Sequence, residues 1–270
     1  DVFPFLGAAV WVAILLAAPV RKPEWSLLPE ATKGSVFLLS LVPAGLSLVV
    51  LAAFVGRGGR AAAPSREPLL AQARGMGGAF HRFLVTAGLF SLANSSTAFL
   101  LLLAADRTHG PGLPGTSVTL VYLLYNLVYA ALSWPVGELS DRIGRRALLL
   151  AAYLLFAGLY ALLAWRADAA TIVAGFVLLG VHSALLEASQ RSMLGDLVAP
   201  SQRGTAYGIY YAVVGAALLP ASVVAGALWA RFGPRAALAA DAAVALLAAA
   251  LFAVLLPARS EYSDRHGHAA

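Results

Sequence analysis

Glu187 and Arg191 stand in the run VHSALLEASQR, residues 181–191, inside a stretch that is otherwise largely apolar from near Ala170 to near Leu197. Four residues apart, they share one face of a helix, in the favourable order of acid before base. Glu187 lies about ten residues from the end of that stretch, hence about 15 Å deep at a helical rise of 1.5 Å per residue. An acid at such a depth has two uses. It serves a proton or a solute in a wet cavity, or it forms an internal ion pair that fixes helix packing while Arg191 reaches back to the surface. Ser183 and Gln190 fall on the same face in either case. His182 points elsewhere and reads as a packing residue or a hydrogen-bond donor. Asp241, about 9 Å from one end of the last apolar stretch, reads as wetted or paired with Arg235, with a coupling role as the alternative.

These groups do not assemble a catalytic centre. An intramembrane enzyme needs a nucleophile with its base, or a metal cluster. His182 and Glu187, five residues apart on a helix, point about 140° away from each other. The chain has no cysteine, which excludes disulfides and thiolate metal sites. The GRGG at 56–59 and the GMGG at 75–78 have the glycines of a phosphate loop, but neither follows a strand or carries the required Lys-Ser/Thr. No catalytic residue, metal ligand or cofactor is expected.

The densest charge sits in GELSDRIGRR, Gly137–Arg146, with five charges in ten residues between two apolar stretches. Asp141 ends a helix at the membrane surface, where it can face the positively polarised N-terminus of a neighbouring helix. Gly137 allows close helix packing, and Gly144 permits a turn too tight for a side chain. Arg145 and Arg146 can reach lipid phosphates or a nearby carboxylate. A charged turn that only fixes topology needs neither Asp141 nor the two glycines.

Softer polar stripes occur on neighbouring stretches. Tyr122, Tyr125, Asn126, Tyr129 and Ser133 fall within about 100° of helical arc, and Ser91, Asn94 and Ser95 cluster likewise. A polar cavity shared between these two helices is expected, with Asn94, Ser95, Tyr122 and Asn126 as lining candidates beside Glu187 and Arg191. Tyr207, Tyr210 and Tyr211 read as interface aromatics near a membrane surface.

The elements that must position these residues are membrane helices. Of the 270 residues, 60% are hydrophobic and 12% charged, too apolar for an ordinary soluble domain. The apolar residues come in about eight blocks of about twenty, the length that crosses roughly 30 Å of hydrocarbon. The blocks run 3–20, 35–55, 83–105, 117–137, 147–165, 170–197, 205–230 and 236–256, and Pro257 stops the last. Pro43 and Pro220 interrupt the second and seventh, as mobile bends or as static kinks. The net charge of +6 comes from residues scattered over loops, which excludes a nucleic-acid partner. With the loop after the second block inside, about twelve basic residues lie inside and about seven outside, in line with the positive-inside rule. The polar break at 56–82 is then a cytoplasmic linker, part of it (67–83) a short surface helix, and 258–270 a cytoplasmic tail.

GELSDRIGRR closely resembles the signature loop of the major facilitator superfamily. Gly137, Asp141, Arg142, Gly144, Arg145 and Arg146 each match a position of that pattern. FSLANSSTAFLLLLAADR (90–107) looks like the seventh helix of such carriers, and LGDLVAPSQRGTAYG (194–208) resembles the turn between the tenth and eleventh. The resemblance implies an all-α polytopic fold covering helices five to twelve of a twelve-helix carrier, with about four helices missing in front. It implies four regions: residues 1–55 close the N-terminal half, 56–82 are the central linker, 83–257 form the complete six-helix C-terminal domain, and 258–270 are the tail. It further implies alternating access in the inner membrane, a small-molecule substrate, ion coupling such as proton coupling, and a latch that Asp196 completes. LGAAVWVAILLAAPV (6–20) lacks the Gly-Pro-x-x-Gly-Gly of many family antiporters, which speaks against drug–proton antiport. The rival readings are a transporter-like sensor or scaffold and, last, an intramembrane enzyme.

Overall fold

Between residues 69 and 257 the backbone is helical wherever the chain is apolar, as hydrocarbon demands of unpaired N–H and C=O groups. The computed structural model describes these residues, and before them only Leu41, Gly45, Leu46 and Val49. The first expected span, nearly all of the second with Pro43, the linker up to residue 68 and the tail from 258 lie outside the described residues. Eight helices follow in the described part: α1 (Leu69–Arg74), α2 (Gly78–Ala93), α3 (Ala98–Ala105), α4 (Gly115–Ile143), α5 (Arg145–Trp165), α6 (Ala169–Asp196), α7 (Arg203–Phe232) and α8 (Pro234–Leu255). A 3₁₀ turn, Pro200–Gln202, leads into α7. Six spans among the described residues are long and apolar enough to cross a membrane, α2 and α3 together making the first. The fold is all-α, as the apolar blocks require.

Three boundaries differ from expectation for identifiable reasons. The single helix expected at 83–105 is broken: Asn94 caps α2 with its N–H on the Phe90 carbonyl, and α3 restarts after Thr97. The intervening Asn-Ser-Ser-Thr offers the backbone competing side-chain partners, and Ser96 Oγ accepts the Ala98 N–H at 3.3 Å. The surface helix expected at 67–83 is α1 alone, stopped by the glycines at 75 and 77. α4 runs six residues past Gly137, through Pro135, and ends only at Ile143. Gly144, at φ +98°, is the single residue joining it to α5. That left-handed backbone favours glycine, although a β-carbon there would meet nothing within 4 Å. The glycine therefore serves the turn's dihedral and not its space.

α6 packs against α4 and α5, and α8 packs against α5, α2 and α7. The core lies where α2, α5, α6 and α8 meet. Phe90 stacks on Tyr153 at 4.0 Å between centroids and meets Phe156 edge-on at 5.2 Å. His182 is buried beside Phe90 and Phe156, and its Nδ1 lies 2.9 Å from the Ala152 carbonyl, the packing role its sequence setting predicts. Where α4 crosses α6, a β-carbon on Gly180 would lie 2.8 Å from the Tyr125 carbonyl oxygen and 2.9 Å from Val128. Small residues at such crossings let two backbones approach. At Gly137, where that role was expected, an added β-carbon meets nothing within 4 Å.

Candidate functional site

The charged turn is built by three helix ends. Asp141 is in the last turn of α4, Arg145 begins α5, and Asp196 ends α6. Both acids sit at helix C-termini, where the backbone dipole disfavours a negative charge. Arg145 offsets this by holding both. Its Nη2 is 3.5 Å from Asp141 Oδ1, its Nη1 donates to Asp196 Oδ2, and the same nitrogen is 3.3 Å from the Ser192 carbonyl. In the described bundle the partner of Asp141 is thus Arg145 and not the N-terminus of another helix. Ser140, Asp141, Gly144, Arg145 and Asp196 line one open cavity of about 390 Å³. The Ser140 hydroxyl is buried there without a hydrogen-bond partner. One guanidinium against two carboxylates leaves the cavity acidic.

Arg146 goes to neither lipid nor carboxylate. Its Nε donates to the Leu256 carbonyl and its Nη2 to the Ala253 carbonyl at 3.2 Å, and its guanidinium lies 6.0 Å from the Phe252 ring centroid. It therefore caps the C-terminus of α8, where a cation belongs. Arg142 is exposed.

The second group lies between α4 and α6. Glu187 Oε2 accepts from Tyr129 Oη at 2.6 Å and from Arg191 Nη2 at 3.0 Å. Both donors meet the same oxygen. Tyr122, Tyr125 and Tyr129 stack in series at 5.7 and 6.4 Å, and Tyr125 Oη is 3.3 Å from Ser183 Oγ. Tyr125 and Tyr129 of the α4 stripe thus meet Ser183 and Glu187 of the α6 face, a pairing of helices that periodicity alone did not give. Asn126 turns back to its own helix, donating to the Tyr122 carbonyl at 2.7 Å. Gln190 leaves this face: it is buried, accepts from Tyr210 Oη at 2.6 Å and lies 3.4 Å from Tyr153 Oη. With Tyr207 donating to the Arg191 carbonyl at 2.7 Å, two of the three α7 tyrosines tie α7 to α6. Sequence periodicity missed this network because its members come from three helices.

The stripe of Ser91, Asn94 and Ser95 does not join the tyrosines. α2 packs on α7 and α8; Ser91 donates to the Ala87 carbonyl at 2.8 Å, and Ser95 donates to Asp241 Oδ2 at 2.6 Å. Asp241 is buried and is not paired with the exposed Arg235. At the opposite end of the bundle from the charged turn, Asp168 caps α6 by accepting the Thr171 N–H and hydroxyl, both at 2.8 Å. Those bonds, with Arg166 beside it, hold its carboxyl down at about 2. The Thr108 N–H and His109 likewise lower the Asp106 carboxyl.

Known proteins share the sequence pattern and the fold. The Major Facilitator Superfamily profile matches residues 83–269. The uncharacterized MFS-type transporter MJ1317 of Methanocaldococcus jannaschii is 34% identical over 153 residues, which cover 54% of this chain and 37% of that protein. The multidrug efflux pump LfrA of Mycolicibacterium smegmatis is 36% identical over 148 residues, covering 53% of this chain and 28% of that one. The chain thus matches well under half the length of either relative. The crystal structure of the human organic anion transporter MFSD10 (TETRAN) superposes with a TM-score of 0.54 at 21% identity, over 70% of this chain and 42% of that one, a likeness of fold.

Proposed function

We propose that this chain, which belongs to the Major Facilitator Superfamily, carries the six-helix C-terminal domain (83–257) of a secondary transporter. It moves a small organic solute across the inner membrane by alternating access. Residues 1–55 belong to the partner half, 56–82 link the halves in the cytoplasm, and 258–270 are a cytoplasmic tail. The likeness to a multidrug efflux pump supports small organic molecules as cargo. The observation that carries this reading is Arg145 joining Asp141 and Asp196 across the ends of three membrane helices. An acid placed at the wrong end of a helix dipole is a local conflict of the sort retained for function. Arg145 holds the helix ends together in one conformation and releases them in the other, so the cluster biases a two-state equilibrium. Glu187, with Arg191 and Tyr129, is the coupling group and borders the solute path.

The test uses the absence of native cysteine. Spin labels on cysteines at Ser26 and Thr116, which the positive-inside rule assigns to the outer side, read the separation of the halves of the full-length carrier in lipid nanodiscs. Two populations are expected. The Asp141–Arg145 pair is exposed, and such pairs contribute about 0.2–1 kcal/mol, so Asp141→Asn is expected to change the population ratio by about 1.4- to 5-fold. A single distance distribution, unaltered by Asp141→Asn, would reduce the cluster to a topology signal.

A further inference from the structure

The break between α2 and α3 lies against the most deeply buried acid of the described bundle. Asp241 on α8 is 6% exposed. Its carboxyl has a hydrogen bond from Ser95 Oγ at 2.6 Å, and Ser95 belongs to the four non-helical residues between α2 and α3. No ion pair among the described residues includes Asp241. An ionised carboxylate buried without a cation costs far more than one hydroxyl hydrogen bond returns. Its neutral acid form costs little, because Ser95 can donate to its carbonyl oxygen. Among the described residues, the elements packed on α8 bring no cation within ion-pair distance of Asp241. α5 contributes Tyr160, fully buried, which interacts with both Ser95 and Asp241. The basic groups of α2, His81 and Arg82, lie about 20 Å along the span from Ser95. Arg231 in the last turn of α7 and Arg235 in the first turn of α8 lie at the outer end, about 10 Å along the span from Asp241, and both are exposed, while Tyr207, Tyr210 and Tyr211 sit at the cytoplasmic end.

We propose that Asp241, with Ser95 and Tyr160 around it, is a proton-binding site that is closed by the break in the first span of this domain. With the break seated on α8, Asp241 carries its proton and Ser95 holds it. Asn94 and Thr97 are tied to the ends of α2 and α3 by the last and first i to i+4 hydrogen bonds, but Ser95 and Ser96 between them make no such bond, so the centre of the break can turn away from α8 without melting α2 or α3. When it does, Ser95 leaves, water reaches the carboxyl, the acid O–H bond breaks, and the proton passes to that water while the carboxylate stays on Asp241. Proton release and movement of the break are then one event. The site lies about 10 Å from the outer end of α8, so it exchanges protons with the outer side. It is separate from Glu187, which lies between α4 and α6. Only the direction of release rests on the carrier reading; the protonation itself does not.

The test is infrared difference spectroscopy on the protein in lipid nanodiscs, titrated with pH, beside hydrogen exchange at residues 94–97 corrected for the intrinsic pH dependence of amide exchange. A protonated-carboxyl stretch is expected that is lost as pH rises and is absent at every pH in Asp241→Asn. Ser95→Ala, a small change that keeps the acid, is expected to move the stretch to higher frequency. Exchange at 94–97 is expected to rise as the stretch is lost, and to lose that pH dependence in Asp241→Asn. A stretch unmoved by Ser95→Ala, one still present in Asp241→Asn, or exchange that keeps its pH dependence in Asp241→Asn each overturns the proposal. Loss of transport with the infrared result intact would instead count against the carrier mechanism.

Discussion

At the scale of the residue, Glu187 is set between two donors that do different things. Tyr129 and Arg191 both reach Oε2, so Oε1 is left to water, a proton or a solute. Glu187→Gln keeps an acceptor for Tyr129 and removes the charge that faces Arg191. On the carrier reading the exposed side of this pair faces a wet cavity, and with the Arg191 side chain 60% exposed, losing its partner there costs folding about 0–1 kcal/mol. The variant is expected to fold, to exchange substrate across proteoliposome membranes, and to lose accumulation against a gradient. Normal accumulation would remove Glu187 as the coupling group, and a failure to fold would assign the pair to packing. The i, i+4 spacing made this pair legible in the sequence, because helical periodicity alone puts the two on one face. The partner of Asp241 was not legible: Ser95 lies 146 positions away, and nothing local signals which helices will be neighbours. Arg146 was misread for the same reason, since its acceptors are carbonyls at the far end of the chain.

At the scale of the element, the six spans were readable from apolar length, and their ends shifted by a few residues where caps and glycines intervened. The break at 94–97 was visible only as polar composition, because an Asn-Ser-Ser-Thr run is also tolerated on a continuous helix. The crossing at Gly180 carried no sequence signal that set it apart from other helical glycines, as only the path of α4 makes it special. Gly180→Ala places a methyl 2.8 Å from the Tyr125 carbonyl and 2.9 Å from Val128, and a backbone oxygen cannot step aside as a flexible side chain would. The expected cost is about 1–3 kcal/mol, typical of overpacking, read as a lower midpoint of unfolding in detergent. Gly158 is the control. It is exposed on α5, and an added β-carbon meets nothing within 4 Å, so Gly158→Ala is expected to be neutral or to stabilise by up to about 1 kcal/mol. Equal midpoints for the two variants would contradict the close crossing.

At the scale of the whole molecule, burial is uneven around the bundle. Of the most apolar stretch, 11% is buried in α4 and in the α7 span, against 50% in α5. α5 is therefore an interior helix, while α4 and α7 present broad apolar faces, with Trp134, Leu219 and Val223 exposed. Six spans bring the start of α2 and the end of α8 to the same side. Arg74, Arg82, Arg142, Arg145, Arg146, Arg191 and Arg203 gather towards that side, against Arg107, Arg166, Arg231 and Arg235 at the other. The positive-inside rule assigns the richer side to the cytoplasm. On that assignment the Arg145 cluster is cytoplasmic and the Asp241 site lies in the outer half. Single cysteines at Ser65 and Ser117, in a chain that has none, test the assignment with a membrane-impermeant thiol reagent on intact cells. Ser117, in the first turn of α4, is expected to be labelled, and Ser65 is expected to react only after the cells are opened. Labelling at Ser65 but not at Ser117 would invert the molecule, placing the Arg145 cluster outside and turning the proton exchange of Asp241 towards the cytoplasm.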